Sequence, residues 1–211
     1  MDNKGILIVV SGFSGSGKGT LMKVLLDAYD NYALSISATT RQPRAGEVEG
    51  VHYFYRSNEE FEKMIAKDEL IEYARYVNNY YGTPRDYVEE QLNSGKDVIL
   101  EIEIQGALKV KKKYPETLLL FVTPPDAATL ERRLVGRGTE TPEVIRSRML
   151  RAAQEADGMD AYDYLIINDD IEACRDEVHR IIQSEHHRCS RNVEFMDQIK
   201  AELKANLKGE L

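Results

Sequence analysis

The sequence predicts an α/β fold: a P-loop core with a parallel sheet and helices on both faces, carrying an inserted lobe. Three observations lead there. Short, wholly apolar runs alternate with amphipathic stretches, the pattern of buried parallel strands joined by crossover helices. A glycine-rich turn, Gly12-Phe13-Ser14-Gly15-Ser16-Gly17-Lys18, stands between the first such strand and the first helix. Residues from about 35 to 90 break the alternation and are richer in short strands and tyrosines.

Each element has its own signal. Residues 5–10 (GILIVV) read as a buried strand, and 20–29 as a helix with Leu21, Val24, Leu25 and Ala28 on one face. Residues 51–55 read as a short aromatic strand. Ser57 and Glu60 form a capping box for a helix running to about Lys67. A strand is expected at 70–76 and a turn at 78–82. Thr83 then reads as an N-cap with Pro84 in the first turn, and Gly95 ends that helix. Residues 98–104 form an apolar strand ending in carboxylates, and 107–113 a basic helix. The run 117–122 is a third strongly buried strand, followed by Pro124-Pro125. Helices are expected at about 126–135 and at 142–156, with Gly136-Arg137-Gly138 between them. A last buried strand spans 164–167, and a long charged helix, open to a break, fills the C-terminus. Beyond Arg188 the tail is amphipathic through Val193, Met196, Ile199, Leu203 and Leu207. We read it as packing on the core, with dimerisation as the alternative.

The 211 residues are enough for one domain with a sizeable core, and 42% hydrophobic with 30% charged residues is a soluble globular composition. Lys+Arg total 28 against 36 Asp+Glu, so the formal charge of −8 argues against nucleic acid or an anionic membrane as partner. No apolar run approaches the roughly 20 residues of a membrane span. Cys174 and Cys189 read as free thiols in a reducing cytoplasm. His186, His187 and Cys189 read as a solvated helix face, and no metal-type spacing of Cys and His is present.

The strand–turn–helix setting makes Gly12 to Lys18 a phosphate loop. Its glycines let backbone N–H groups converge on phosphate oxygens, the helix N-terminus adds a positive dipole, and Lys18 bridges the outer phosphates. The eighth position is Gly19, so the hydroxyl that usually ligates magnesium is absent there. Thr20 follows, as in the GKGT variant of adenylate kinases.

Further motifs narrow the reading. They are Ser37-Ala38-Thr39-Thr40-Arg41-Gln42-Pro43-Arg44-Ala45-Gly46-Glu47, Gly50-Val51-His52-Tyr53-Phe54, Ile71-Glu72-Tyr73-Ala74 and Asn79-Tyr80-Tyr81-Gly82-Thr83. To these add Leu100-Glu101-Ile102-Glu103-Ile104-Gln105-Gly106, Arg132-Arg133-Leu134-Val135-Gly136-Arg137-Gly138 and Tyr164-Leu165-Ile166-Ile167-Asn168-Asp169. Together with the P-loop they closely resemble the guanylate kinases, over roughly residues 5–188. The resemblance implies a P-loop core with a mobile GMP-binding lobe and lid. It also implies transfer of the γ-phosphoryl of ATP to GMP with magnesium, in purine nucleotide metabolism and GMP recycling; dGMP is a further expected acceptor. On this reading the core comprises 1–34, 91–131 and 158–211, the GMP lobe 35–90 and the lid 132–157.

The resemblance assigns roles residue by residue. Gly12, Phe13, Ser14, Gly15, Ser16, Gly17, Lys18, Gly19 and Thr20 bind ATP phosphates, and Asn168 lies near the ATP base. Arg41 and Arg44 clamp the GMP phosphate, which suits two guanidinium forks facing a dianion. Tyr53 and Tyr81 donate hydroxyls to the same phosphate. Glu72 reads the two adjacent guanine donors, ring N1–H and the exocyclic amine, while Ser37 and Thr83 reach the O6 side; Gly82 belongs to the same pocket. Glu101 and Glu103 end a buried strand where ligands of open parallel sheets bind. One is expected to orient magnesium-bound water and the other to face the acceptor. Magnesium itself is expected to be held mainly by nucleotide phosphates and water, without a protein metal site. Arg133, Arg137 and Arg148 close on the phosphates with Lys18 and Arg41, and Gly136 and Gly138 suggest a hinge. From the residues alone, the arginines also read as surface residues and the tyrosines as lobe core. The residues alone leave Glu72 open between a carboxylate buried in an apolar or aromatic strand, which needs donors, and a solvent-facing position alternating with Ile71 and Tyr73. Two other readings stand beside this one. AMP as acceptor is disfavoured by Glu72, and a peptide-binding, non-enzymatic relative is disfavoured by Lys18, Arg41 and Arg44. Monomer and homodimer are both expected states.

Overall fold

The computed structural model describes residues 4–76, 78–136 and 141–208; Arg137 and Gly138 lie outside these. Two sheets organise the chain. The first strand, β1 (Leu7–Gly12), alternates its side chains between two apolar layers, Ile8 and Val10 on one face, Leu7 and Val9 on the other. It is therefore central, with β7 (Asp97–Glu101) on one side and β8 (Leu118–Thr123) on the other, all parallel. The strand β2 (Tyr32–Leu34) pairs with β7, and β9 (Tyr164–Ile167) pairs with β8, giving the order β2-β7-β1-β8-β9.

Helix α1 (Lys18–Ala28) and helix α7 (Ile171–His186) cover one face through Leu21, Met22, Leu25, Val178 and Ile182. Helix α3 (Arg85–Asn93) and helix α4 (Ile104–Lys113) cover the other through Val88, Leu92, Ala107 and Val110. Helices on both faces are what buried parallel strands require. Helices α5 (Ala127–Val135) and α6 (Pro142–Ala156) pack on Phe13 and Phe121 through Leu130, Leu134 and Ala152.

The second sheet has the order β4-β3-β6-β5, from β3 (Ala38–Thr39), β4 (Phe54–Tyr55), β5 (Leu70–Tyr76) and β6 (Asn79–Pro84). Helix α2 (Asn58–Ala66) packs Phe61 beneath it. The Ser57–Glu60 capping box is present, each side chain bonded to the other's backbone N–H.

Several expectations are corrected. Of the segment expected as a turn at 78–82, Asn78 is a turn residue and 79–82 belong to strand β6, because they pair along β5 and β3. Thr83 is a buried residue of β6 and caps no helix; Pro84 holds the N-cap position of α3. The strand expected to reach 104 stops at Glu101. Glu103 is the N-cap of α4, so the two acids do not share a strand face. The last strand is an edge, with Tyr164, Leu165 and Ile167 exposed. His186 is half-buried with its Nε2 2.9 Å from the buried Asp97 carboxylate, not on a solvated face. The tail helix α8 (Val193–Lys208) leaves Val193, Phe195, Ile199, Leu203 and Leu207 exposed instead of packing them on the core. No described helix is long and apolar enough to cross a membrane.

Candidate active site

The P-loop turns at the end of β1 because its neighbours leave room only for glycine. Gly12 has φ +148°, and a Cβ there would stand 2.0 Å from the Val122 carbonyl oxygen. Gly17 caps α1 at φ 90°, and a Cβ there would stand 2.4 Å from Asn168 Nδ2. Phe13 turns its ring into the core, edge-on to Phe121 at 5.1 Å, so this residue anchors the loop by its side chain. Asn168 is buried and donates from Nδ2 to the Ser16 carbonyl at 2.8 Å. Arg133 donates to the same carbonyl at 3.2 Å and to the Asn168 carbonyl at 2.8 Å. The two residues thus brace the loop from the far side of the sheet.

Lys18 donates from Nζ to the carbonyls of Gly12 at 2.6 Å and Phe13 at 3.1 Å. Arg148, on α6, reaches Ser14 Oγ at 2.5 Å. Arg151, one turn further along, donates to Glu103 at 2.7 Å and to Glu155 at 2.9 Å. Nothing in the sequence marked Arg151 apart from neighbouring helix arginines; its partner lies 48 residues away. A cleft of about 630 Å³ runs between Gly12, Ser14 and Lys18 on one side and Arg148 and Arg151 on the other. Glu101 is exposed to it at the end of β7, and the protein crowding around it pushes its carboxyl up, with Lys18 opposing.

A second cavity of about 270 Å³ adjoins it, with Ser37, Tyr53, Glu72, Tyr81 and Gly82 in its wall. Both cavities share Glu101, Ile102 and Glu103, so they meet at the end of β7. Glu72 is only 8% exposed, which removes the solvent-facing reading. The cause is a register shift between Leu70 and Tyr73 in the β5–β6 pairing, which turns both Ile71 and Glu72 inward. Thr83, opposite on β6, donates to Glu72 Oε1 at 2.9 Å. Burial pushes the Glu72 carboxyl up, and Thr83 and Lys109 hold it down.

The rings of Tyr53 and Tyr81 lie 6.1 Å apart, nearly edge to face, and the Arg41 guanidinium sits 5.3 Å above Tyr53. Arg41 and Arg44 are outside the cavity wall; the Arg44 side chain is exposed and its backbone N–H donates to Glu47 at 2.7 Å. Glu47 gathers this loop. It accepts from Arg41 Nη2 at 2.9 Å, the Arg44 N–H and the Tyr55 hydroxyl at 2.8 Å. Those donors, Arg41 first, pull its carboxyl down to about 2. The sequence signal for Glu47 was present, an acid six residues after Arg41 in a tight loop.

Among the described residues, no group of three or more His, Cys, Asp or Glu side chains is placed to hold a metal ion. Cys174 is buried and Cys189 exposed, both free.

A family model described as guanylate kinase matches residues 4–185. The guanylate kinase of Halalkalibacterium halodurans is 52% identical over 196 residues, covering 93% of this chain and 96% of that protein. That of Oceanobacillus iheyensis is 53% identical over 183 residues, covering 87% and 89%. The crystal structure of guanylate kinase from Anaplasma phagocytophilum superposes with a TM-score of 0.70 at 33% identity, over 89% of each chain. With a P-loop cleft and an acid-bearing acceptor cavity meeting at one strand end, and with these relatives spanning nearly its whole length, the chain belongs to the guanylate kinase family.

Proposed function

We infer that the chain transfers the γ-phosphoryl group of ATP to GMP, and also to dGMP, giving ADP and GDP or dGDP. One observation carries the reading: the phosphate-loop cleft and the cavity lined by the buried Glu72 carboxylate share the wall Glu101-Ile102-Glu103. Donor and acceptor placed in those two spaces meet end to end.

The chemistry asks little covalent work of the protein. A GMP phosphate oxygen is already anionic. It forms the new bond to Pγ as the bond to the ADP oxygen breaks, so positioning and charge neutralisation suffice. The P-loop N–H groups and Lys18 hold the donor phosphates. Arg148 from α6 supplies charge at the transferring group, and Arg41 with Arg44, Tyr53 and Tyr81 takes the acceptor phosphate. Arg133 and Asn168 keep the P-loop in shape. Arg137 joins the phosphate-binding set as a proposal from the family motif alone. Glu101, which lines the cleft beside Lys18, would hold the water shell of a magnesium ion carried on the nucleotide phosphates, and that hard cation would neutralise phosphate charge. Glu103, tied to Arg151, faces the same junction. Lobe 35–90 would carry GMP and segment 132–157 would act as the lid. Two free thiols fit a cytoplasmic protein.

The test is ADP release from ATP and magnesium with GMP, dGMP, AMP, CMP and UMP as acceptors. Strong GMP turnover, weaker dGMP turnover and silence elsewhere are expected. Turnover of AMP in preference to GMP would overturn the assignment.

A further inference from the structure

We propose that Gly106 is a specificity-determining position of the acceptor pocket: its missing side chain leaves the second oxygen of Glu72 open to the exocyclic amino group of guanine. This rests on the guanylate kinase reading and adds to it a residue of α4 that stands directly beside the Glu72 carboxylate.

The two oxygens of Glu72 have different surroundings. Oε1 accepts from the Thr83 hydroxyl at 2.9 Å. Oε2 faces the first turn of α4, where a Cβ on Gly106 would stand 3.3 Å from Oε2, 3.8 Å from the carboxyl carbon and 3.3 Å from Ile102 Cδ1. An atom lodged there would take one of the approach directions to Oε2. The carboxylate is tied through its other oxygen, so giving way to a Cβ would strain the Thr83 hydrogen bond.

Glycine at this position has no backbone reason. Gly106 sits within α4 and is absent from the residues with positive φ. Alanine is the better helix former at such a place, so a glycine there points to a packing need. The need visible here is space beside Oε2. Gly106 also lines the acceptor cavity together with Glu72 and Lys109, which puts the vacant space on the ligand side of the carboxylate.

Guanine offers its ring N1–H and its 2-amino group side by side. With Thr83 on Oε1, that oxygen keeps a lone pair for N1–H, and Oε2 takes the amine. Hypoxanthine has the same ring N1–H and O6 but lacks the amine, so IMP separates the two oxygens chemically.

The experiment compares GMP and IMP as acceptors for the wild-type chain and for Gly106→Ala, with circular dichroism as the fold check. Wild-type kcat/KM is expected to favour GMP over IMP. In Gly106→Ala, kcat/KM for GMP should fall about 10- to 100-fold, mainly through KM, while that for IMP stays within about threefold and the KM for ATP does not move. Equal losses for GMP and IMP would mark Gly106 as merely structural and overturn the proposal, as would an unchanged GMP value. Should Gly106→Ala not fold, Gly106→Ser is read in the same assay with the same expectations; in the wild type, equal turnover of GMP and IMP shows that the amine is not read, and sinks the idea. A wild type that phosphorylates GMP but shows either failure refutes only this inference; one that leaves GMP untouched refutes the kinase reading.

Discussion

Replacing Glu72 by glutamine tests the base-reading carboxylate on its own. Thr83 donates to Oε1 at 2.9 Å and is itself fully buried, so it holds its position in the variant. The glutamine carbonyl then takes the Oε1 place, and its NH₂ group takes the Oε2 place. A guanine donor that met a carboxylate oxygen now meets another donor. Losing a hydrogen bond to a charged partner costs about 1.5–3 kcal/mol, and a buried unpaired donor about 1–3 kcal/mol more. Together that is roughly 3–6 kcal/mol, or about 10²–10⁴ in kcat/KM for GMP. Stability should move the opposite way. Burial raises the Glu72 carboxyl above its ordinary value of 4.5, so the folded chain holds a proton there more readily than the unfolded chain does. Stability from that preference is present below the unfolded value and is lost as pH rises through the folded one. Glutamine mimics the protonated acid, so Glu72→Gln should melt above the wild type at pH 7, with the gap closing on acidification towards 4.5. ADP-release kinetics with GMP and thermal melts across that pH range read both effects. A GMP kcat/KM within about tenfold of wild type would refute the base-reading role, and a lower melting temperature at pH 7 would refute the burial argument.

Two further outcomes test the phosphate ends of the site. Lys18→Ala should lower kcat by about 10²–10³ or more while the far-UV circular dichroism stays native, because a positioned charge on the transferring group is lost; a drop below tenfold would remove Lys18 from the chemistry. Glu47→Gln should weaken GMP binding by freeing Arg41. It should also erase an acid transition: with the carboxyl at about 2 against an ordinary 4.5, its stabilisation is full above 4.5 and fades as pH falls towards 2. Thermal melts of wild type and variant should therefore converge through that window, and a constant gap down to pH 3 would count against the Glu47 hub.

Polar contacts tie α6 to the core. Arg151 and Glu103 are 43% and 66% exposed, and an ion pair of that kind contributes about 0–1 kcal/mol. Arg151 also pairs with Glu155 on its own helix. Arg148 reaches Ser14 of the P-loop, and Arg133 donates to the backbone carbonyls of Ser16 and Asn168.

Local chemistry carried a large part of this protein in its sequence. Apolar runs too short for helices specified the buried strands β1, β7 and β8. The spacing of glycines before Lys18 specified the phosphate loop, and the Ser57–Glu60 pair specified the start of α2. The motif set from Ser37 to Asn168, with the phosphate loop, carries the family resemblance in the sequence itself. Contacts between distant segments decided the rest. Alternation left Glu72 open between solvent and burial, and the structure, with its irregular pairing to β6, has it inside. Local propensity made 78–82 a turn and Thr83 a cap, and strand pairing put 79–83 into β6, with Thr83 as the donor that holds Glu72. An apolar run suggested a buried last strand, and its place at the sheet edge left it exposed. The physical reason is common to all three. Periodicity, capping and turn chemistry act within a few residues and are written locally, whereas burial of a polar side chain depends on register and on which segment arrives opposite, and only the folded chain sets those.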